Sequence, residues 1–353
     1  WVGAGASRSA LRGAPGCVSP ETAASDDGGR VMTMRHPKLD VAVVGVGYLG
    51  AHHARVYAEM PEVALVAVVD DDARRAEKIA AQYACAAFSD VRDLPDTLVA
   101  ASVATPTSAH CDVACALLDR GVHVLLEKPM TATLAEADRL IAHAEARHLC
   151  LQIGHVERFN AGFIQLQAQV RQPRFIECHR MGPFAARGTD VHVILDLMIH
   201  DLDIVLALIP SEVVEVRAMG VPVLTRHTDI ANVRLAFANG AVANLTASRV
   251  SANRLRKIRV FEPSAYTSLD YLRQELVLCR RDPPVVAEGA ACPTMSTETV
   301  AIEKAEPLRA EIAAFVRAVV DQTPPRVSGQ EGRRALALAL AIEEEIGHAT
   351  SVV

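Results

Sequence analysis

From Asp40 onward, short runs without polar side chains alternate with amphipathic stretches. "VAVVGVG", Val41 to Gly47, is wholly apolar, as expected of a strand buried on both faces of a sheet. "YLGAHHARVYAEM" follows at helical spacing. It puts Leu49, His53, Val56 and Met60 on one face, and Pro61 closes it. "VALVAVVD" and "LVAASVATPT" read as further strands. "SAHCDVACALLDRG" reads as a helix with Ser108 as N-cap and Gly121 just past its end. Then come a strand in "VHVLLEKPM", a helix in "TLAEADRLIAHAEARH" and a strand in "LCLQIG". Such alternation predicts a parallel sheet covered by helices on both faces.

After Gly154 the rhythm changes. A helix near "NAGFIQLQAQV" and a strand near "RFIECHRMG" lead to a long helix, "VILDLMIHDLDIVLALI". "DIANVRLAFANGAVANLTAS" alternates around Asn239-Gly240, the pattern of a type I′ hairpin. "RKIRVFEPSAYTSLDYLRQELVLC" continues in β style, and two helices, "PLRAEIAAFVRAVV" and "ALALALAIEEEIGHA", follow. The predicted fold class is α/β: a Rossmann domain with a parallel sheet, then an α+β domain with an open-faced, largely antiparallel sheet. The expected division is 1–38 a disordered or mis-started extension, 39–153 the nucleotide domain, and 154–353 a substrate-binding and oligomerisation domain. The extension is rich in Ala, Gly and Ser and lacks the apolar core of a secretory signal. Met32 and Met34 are candidate starts.

Composition narrows the function. The chain has 353 residues, is 50% hydrophobic and carries a net charge of −6, so no basic footprint for nucleic acid is present. No apolar run is long enough to predict a membrane span. The eight cysteines form no CxxC and no close framework, which reads as free thiols in a reducing cytoplasm. Neighbouring His52 and His53 point apart on a helix. Cys111 and Cys115 beside His110 lack a fourth ligand, so no metal site is expected. Asp201, Asp203 and the run Glu343 to Glu345 read as solvated or structural.

Gly45, Gly47 and Gly50 follow a buried strand and open a helix, and Asp70 ends the next strand. That context is the dinucleotide fingerprint: a tight turn, close approach of backbone to pyrophosphate, close helix packing, and an acid for the ribose. Tyr48 and Leu49 lie in the same turn. Asp71 and Asp72 would repel a 2′-phosphate, which favours NAD over NADP, while Arg74 and Arg75 moderate that preference. "EKP", Glu127-Lys128-Pro129, ends a parallel strand at the edge where ligands bind. Asp196 and His200, four apart, share a helix face, and a histidine there can accept a hydroxyl proton.

"GVGYLGAHHARVY", "ATPTSAH", "EKP", "GHVERFN" and the Asp196/His200 pair, in this order, resemble the Gfo/Idh/MocA oxidoreductase family. The resemblance implies hydride transfer between NAD(P) and a sugar or cyclitol hydroxyl. It implies Lys128, Asp196 and His200 as the catalytic group, acting on substrate, and Ala104, Thr105, Pro106, His110 and Glu127 as cofactor-lining. It also implies that the Lys128–Pro129 bond can be cis. "GHVERFN" with "HRMGPFAARGTDVHVILDLMIHDLDIVL" is similar to the branch acting on nucleotide sugars, although Ala161 departs from the usual proline. That branch implies a UDP-sugar substrate and oxidation at C3 of UDP-N-acetylglucosamine. The ketone would pass to an aminotransferase making a 2,3-diamino sugar for lipid A. Arg158, Asn160, Arg180 and Arg187 are the candidates for meeting diphosphate or sugar. An open sheet face implies a homodimer or homotetramer. The alternatives are an inositol or other sugar dehydrogenase, a glycoside hydrolase using NAD without net redox, and a non-catalytic nucleotide sensor.

Overall fold

The computed structural model describes residues 38–185, 191–281 and 294–350. Its first sheet is parallel, with strands in the order β3-β2-β1-β4-β5-β6. They are β1 (Leu39–Val44), β2 (Val63–Val69), β3 (Ala86–Phe88), β4 (Ala100–Val103), β5 (His123–Glu127) and β6 (Leu151–Gly154). The central strands are apolar because helices cover both faces: Val41, Ala42, Val43, Ala100, Ala101 and Val103 are fully buried. The helices are α1 (Tyr48–Glu59), α2 (Ala73–Tyr83), α3 (Thr107–Asp119) and α4 (Leu134–Ala146). This is the expected Rossmann arrangement. Gly121 sits past α3 at φ +78°, as expected of a residue ending a helix. Ser108 is not the N-cap: α3 starts at Thr107, and Pro106 stands at the cap without a side-chain bond. The buried face of α1 also differs, being Gly50, His53, Ala54, Val56 and Tyr57, whereas Leu49 is exposed on the ligand edge.

The second sheet has eight strands in the order β14-β13-β12-β11-β7-β10-β9-β8. They are β7 (Phe175–Met181), β8 (Val213–Val221), β9 (Ile230–Phe237), β10 (Val242–Ser248), β11 (Leu255–Glu262), β12 (Ala265–Asp270), β13 (Glu275–Arg281) and β14 (Met295–Val300). The β7–β10 pair is parallel and the other pairs are antiparallel. Strict alternation of burial along β7 and β9 shows one covered and one open face. The covered face packs on α5 (Ala161–Gln169), α6 (Ile199–Leu208) and α8 (Gly329–Thr350) around Phe163, Ile194, Leu202 and Ala339. The β9–β10 hairpin forms as the alternation predicts, but its turn is not type I′. Gly240 alone takes positive φ, at +79°, and its N–H donates to the Phe237 carbonyl. Asn239 keeps negative φ because the turn holds one more residue than a two-residue loop needs.

The predicted long helix after Val193 is broken in register. Ile194–Met198 form a π turn, which leads directly into α6. The chain beyond residue 154 does not stay with the second sheet. Helix α7 (Pro307–Asp321) places Ile312, Phe315, Val316 and Val319 in one core with Val41, Val43 and Tyr57 of the first sheet. Helix α8 runs from β6 and α4 to β8, so it touches both sheets.

Candidate functional site

The chemistry-bearing residues converge on the carboxyl edge of the first sheet, where loops leave the strands. The glycine turn after β1 shows what each glycine does. Gly45 has φ +81°, and a Cβ there would stand 2.7 Å from the Thr105 amide nitrogen. A Cβ on Gly50 would sit 1.8 Å from the Gly45 carbonyl oxygen. A Cβ on Gly47 meets nothing within 4 Å. The first and third glycines therefore permit the turn itself, and the second leaves room beside it. Helix α1 begins there with no side-chain cap, so its N-terminus suits an anionic group. The cradle fits the pyrophosphate of a dinucleotide.

Asp70 closes the other side of this turn. Its Oδ2 accepts from the Val46 N–H at 2.8 Å, and its Oδ1 accepts from the Asp72 N–H at 3.0 Å and from Arg75 Nη1 at 3.0 Å. Burial pulls its pKa upward, but these donors outweigh burial and hold it below the usual carboxylate range. Arg75 also reaches Asp72, at 3.4 Å, so it is engaged by two carboxylates rather than free for a 2′-phosphate. Asp72 itself caps α2. Ala104, Thr105 and Pro106 lie in the loop after β4, against Gly45.

His110 stands one layer deeper than expected. It is buried, and its Nδ1 and Nε2 lie 2.9 Å from the Pro129 and Thr105 carbonyl oxygens, to one of which the neutral ring donates. It ties the β4 loop to the β5 loop and does not line the cleft; burial keeps its proton affinity low. Glu127 is likewise held, by His53 Nε2 at 3.1 Å and by the Lys128 N–H at 3.2 Å. Burial raises its pKa, but His53 and the Lys128 ammonium more than compensate, so it stays below the ordinary carboxyl value.

The Lys128–Pro129 peptide is cis. Lys128 Nζ donates to the Asp196 carbonyl oxygen at 2.7 Å and lies 3.7 Å from Asp196 Oδ1. That contact joins the end of β5 to the π turn, a feature frequent at functional sites. His200 lies just beyond on α6, in the same cleft as Lys128 and Asp196. Its Nδ1 is buried without a hydrogen-bond partner among the described residues, whereas Nε2 of this cleft-lining ring is not a buried, unpartnered atom. Burial, then the charges of Lys128 and Arg180, push its proton affinity well below the ordinary imidazole value. The buried ring of His155 stands edge-on to it, with centroids 6.4 Å apart.

The cleft has a volume of about 530 Å³ and also opens on Tyr48, Leu49, Glu127 and Gly154. A smaller concavity of about 360 Å³ beside Arg171, Glu262 and Arg280 holds none of the candidate residues. Two of the substrate candidates are corrected by their surroundings. Arg158 is buried and pairs with Asp203 at 3.2 Å and Glu331 at 2.8 Å. Asn160 caps α5 by accepting from the Gly162 N–H at 2.9 Å and donates to the Tyr271 carbonyl. Neither reaches the cleft, because buried charges and amides need fixed partners. Arg180 does line it, braced by Asp201 and Glu157 at 2.8 and 2.9 Å. Arg187 lies outside the described residues. Asp201 and Asp203 are buried rather than solvated, as partners of these arginines. Glu343 is half-buried rather than solvated, and burial raises its carboxyl to about 7.

The pattern of single residues did not single out His155, Arg249, Arg254 or Arg256. The two-residue spacing of Arg254 and Arg256 in a β-style segment places them on one side of a strand. Only the sheet order shows that this side meets the cleft.

Residues 39–155 match the model of the oxidoreductase family with an NAD-binding Rossmann fold, and 153–262 match the GFO/IDH/MocA C-terminal domain. The chain is 42% identical to UDP-N-acetylglucosamine 3-dehydrogenase of Acidithiobacillus ferrooxidans, over 86% of this chain and 96% of that relative. A solved structure of that enzyme superposes with a TM-score of 0.82, at 40% identity, over 88% of this chain and 98% of the other. Myo-inositol 2-dehydrogenase of Thermotoga maritima is 26% identical over 89% of this chain and 98% of that relative. With both domains matched in order and the nearest of these likenesses spanning nearly all the described residues, the chain belongs to the Gfo/Idh/MocA family of NAD-dependent oxidoreductases.

Proposed function

We propose that this enzyme oxidises the C3 hydroxyl of UDP-N-acetylglucosamine to the ketone. The observation that carries the reading is the meeting of Lys128 and His200, from different domains, in the cleft onto which the glycine turn opens. The 42% identity to a dehydrogenase of that substrate supports the choice of sugar. NAD+ bound at the turn supplies the acceptor for the hydride that leaves C3. Lys128, anchored by the Asp196 carbonyl and carboxylate, donates a hydrogen bond to the hydroxyl oxygen and stabilises negative charge developing there. His200, kept neutral by burial and neighbouring cations, takes the hydroxyl proton on Nε2.

The ketone is a substrate for an aminotransferase, which would draw the reaction forward. The open sheet face, with Val214, Met219 and Val221 exposed on β8, supports a homodimer or homotetramer, which light scattering would measure. We place the enzyme in the cytoplasm, where NAD is available and thiols stay reduced; the six cysteines among the described residues are free.

The test is NADH absorbance with UDP-N-acetylglucosamine, N-acetylglucosamine or myo-inositol, each with an aminotransferase and glutamate to trap product. A rise with the UDP sugar is expected. Lys128→Met should keep NAD binding while turnover falls by roughly 10²–10⁴-fold. A rise with myo-inositol alone would overturn the substrate, and near-normal turnover by Lys128→Met would overturn its role.

A further inference from the structure

The floor of the cleft is unevenly charged. Lys128, Arg180, Arg249, Arg254 and Arg256 line it, against the carboxylates of Glu127 and Asp196. Most of these cations are already engaged. Lys128 has Asp196, and Arg180 has Asp201 and Glu157. Arg249 donates to the Val191 carbonyl at 2.7 Å and lies 3.8 Å from Asp229. Arg256 has only a distant share of Glu157, at 3.7 Å, a carboxylate that Arg180 already holds at 2.9 Å. Arg254 has no ion-pair or hydrogen-bond partner among the described residues and is exposed. Among the described residues, positive charge in the cleft therefore exceeds what their carboxylates neutralise.

The placement of the two arginines is set by register. Arg254 immediately precedes β11, and Arg256 lies two residues on, so both point to one side. Arg256 pairs across the ladder with Arg180, and Leu255 with Met181, at the end of β7 that borders the cleft. The guanidinium groups of Arg256 and Arg180, opposite each other across the ladder, repel, a cost that an anion in the cleft would reduce. Guanidinium groups bind phosphate oxygens two at a time, and a side chain with unused donors is free to do so.

We propose that Arg254 and Arg256 bind the diphosphate of the nucleotide sugar and thereby separate it from uncharged sugars and cyclitols. This rests on the UDP-sugar reading above. In such a substrate the diphosphate is attached at C1, two carbons from C3, so its site must share the cleft with Lys128 and His200. The pyrophosphate of the dinucleotide has its own place at the glycine turn, and the two sources of diphosphate can be told apart by experiment.

The probes are UDP, titrated into the NAD-loaded enzyme by calorimetry, and the KM values for UDP-N-acetylglucosamine and for NAD. Arg254→Ala, at an exposed position, and the double variant with Arg256→Ala should each weaken UDP binding. The double variant should lose roughly tenfold or more, with a parallel rise in the sugar KM. The KM for NAD should hold, and added salt should weaken UDP binding to the wild type more than to the double variant. Unchanged UDP affinity in Arg254→Ala and in the double variant overturns the proposal. So does a rise confined to the KM for NAD, which would give the arginines to the dinucleotide. If the wild type binds UDP through these arginines yet does not oxidise the UDP sugar, the substrate reading fails and the diphosphate site stands. If it oxidises the UDP sugar and the double variant keeps the same sugar KM, the reading stands and the site fails.

Discussion

His200 shows how surroundings set the chemistry of a single residue. A free imidazole titrates near 6.5, but burial and the cations Lys128 and Arg180 lower this group well below that value. The neutral form is the one that accepts a proton. As pH falls through 6.5, kcat/KM should therefore stay level, and its acid limb should lie lower. A limb at or above 6.5 in the pH profile would remove His200 as the base. The stability linkage has the same sign. The folded value lies below the unfolded one, so the unfolded chain binds the proton more readily. The contribution of His200 is complete above about 6.5 and is lost as pH falls toward the folded value. Buried His155, lowered for the same reason, adds to the loss. Denaturant titrations at pH 7.5 and 5.5 would measure it. The residue types and spacing of Lys128, Asp196 and His200 were legible in the chain. The depth of His200 was not, because it depends on side chains from the other domain.

At the scale of elements, the turn between β1 and α1 separates two uses of glycine that one motif conceals. Gly50→Ala places a methyl on the Gly45 carbonyl, where no relaxation of a flexible side chain can relieve it. That variant should lose Tm as well as NAD affinity. Gly47→Ala has open space in the protein and should keep its Tm, yet weaken NAD where the pyrophosphate approaches the backbone. Thermal scans with and without NAD distinguish them, and an equal Tm loss in both variants would contradict this division of labour. The hairpin at Asn239-Gly240 makes a related point. Alternation and a glycine announce a reversal, but the turn type depends on how many residues the flanking ladder leaves unpaired. The π turn at Ile194–Met198 was equally invisible, since its apolar spacing reads as an ordinary helix.

For the whole molecule, α7 is decisive. It is far from the first sheet in sequence but supplies Phe315, fully buried, to that sheet's core. Phe315→Ala should cost about 3–5 kcal/mol of stability in denaturant melts. A fragment ending at residue 155 should lack a cooperative unfolding transition, since it exposes the surface that α7 covers. A fragment with a normal transition and NAD affinity would show that α7 is dispensable. Arg158 belongs to this scale too, because it joins Asp203 of α6 to Glu331 of α8 across the domain junction. Its sequence context suggested a substrate contact, and only the packed structure shows that buried Asp203 and half-buried Glu331 claim it.

The sequence by itself determined the strand–helix alternation, the nucleotide turn, its acid and the identity of the chemical groups. Those features are local: they depend on hydrophobic period, backbone freedom at particular glycines and the reactivity of named side chains. The tertiary structure decided which arginines stay available, where α7 packs and how deeply His200 is buried. These depend on contacts between segments far apart in the chain, where charge pairing and desolvation are settled only once both partners are in place.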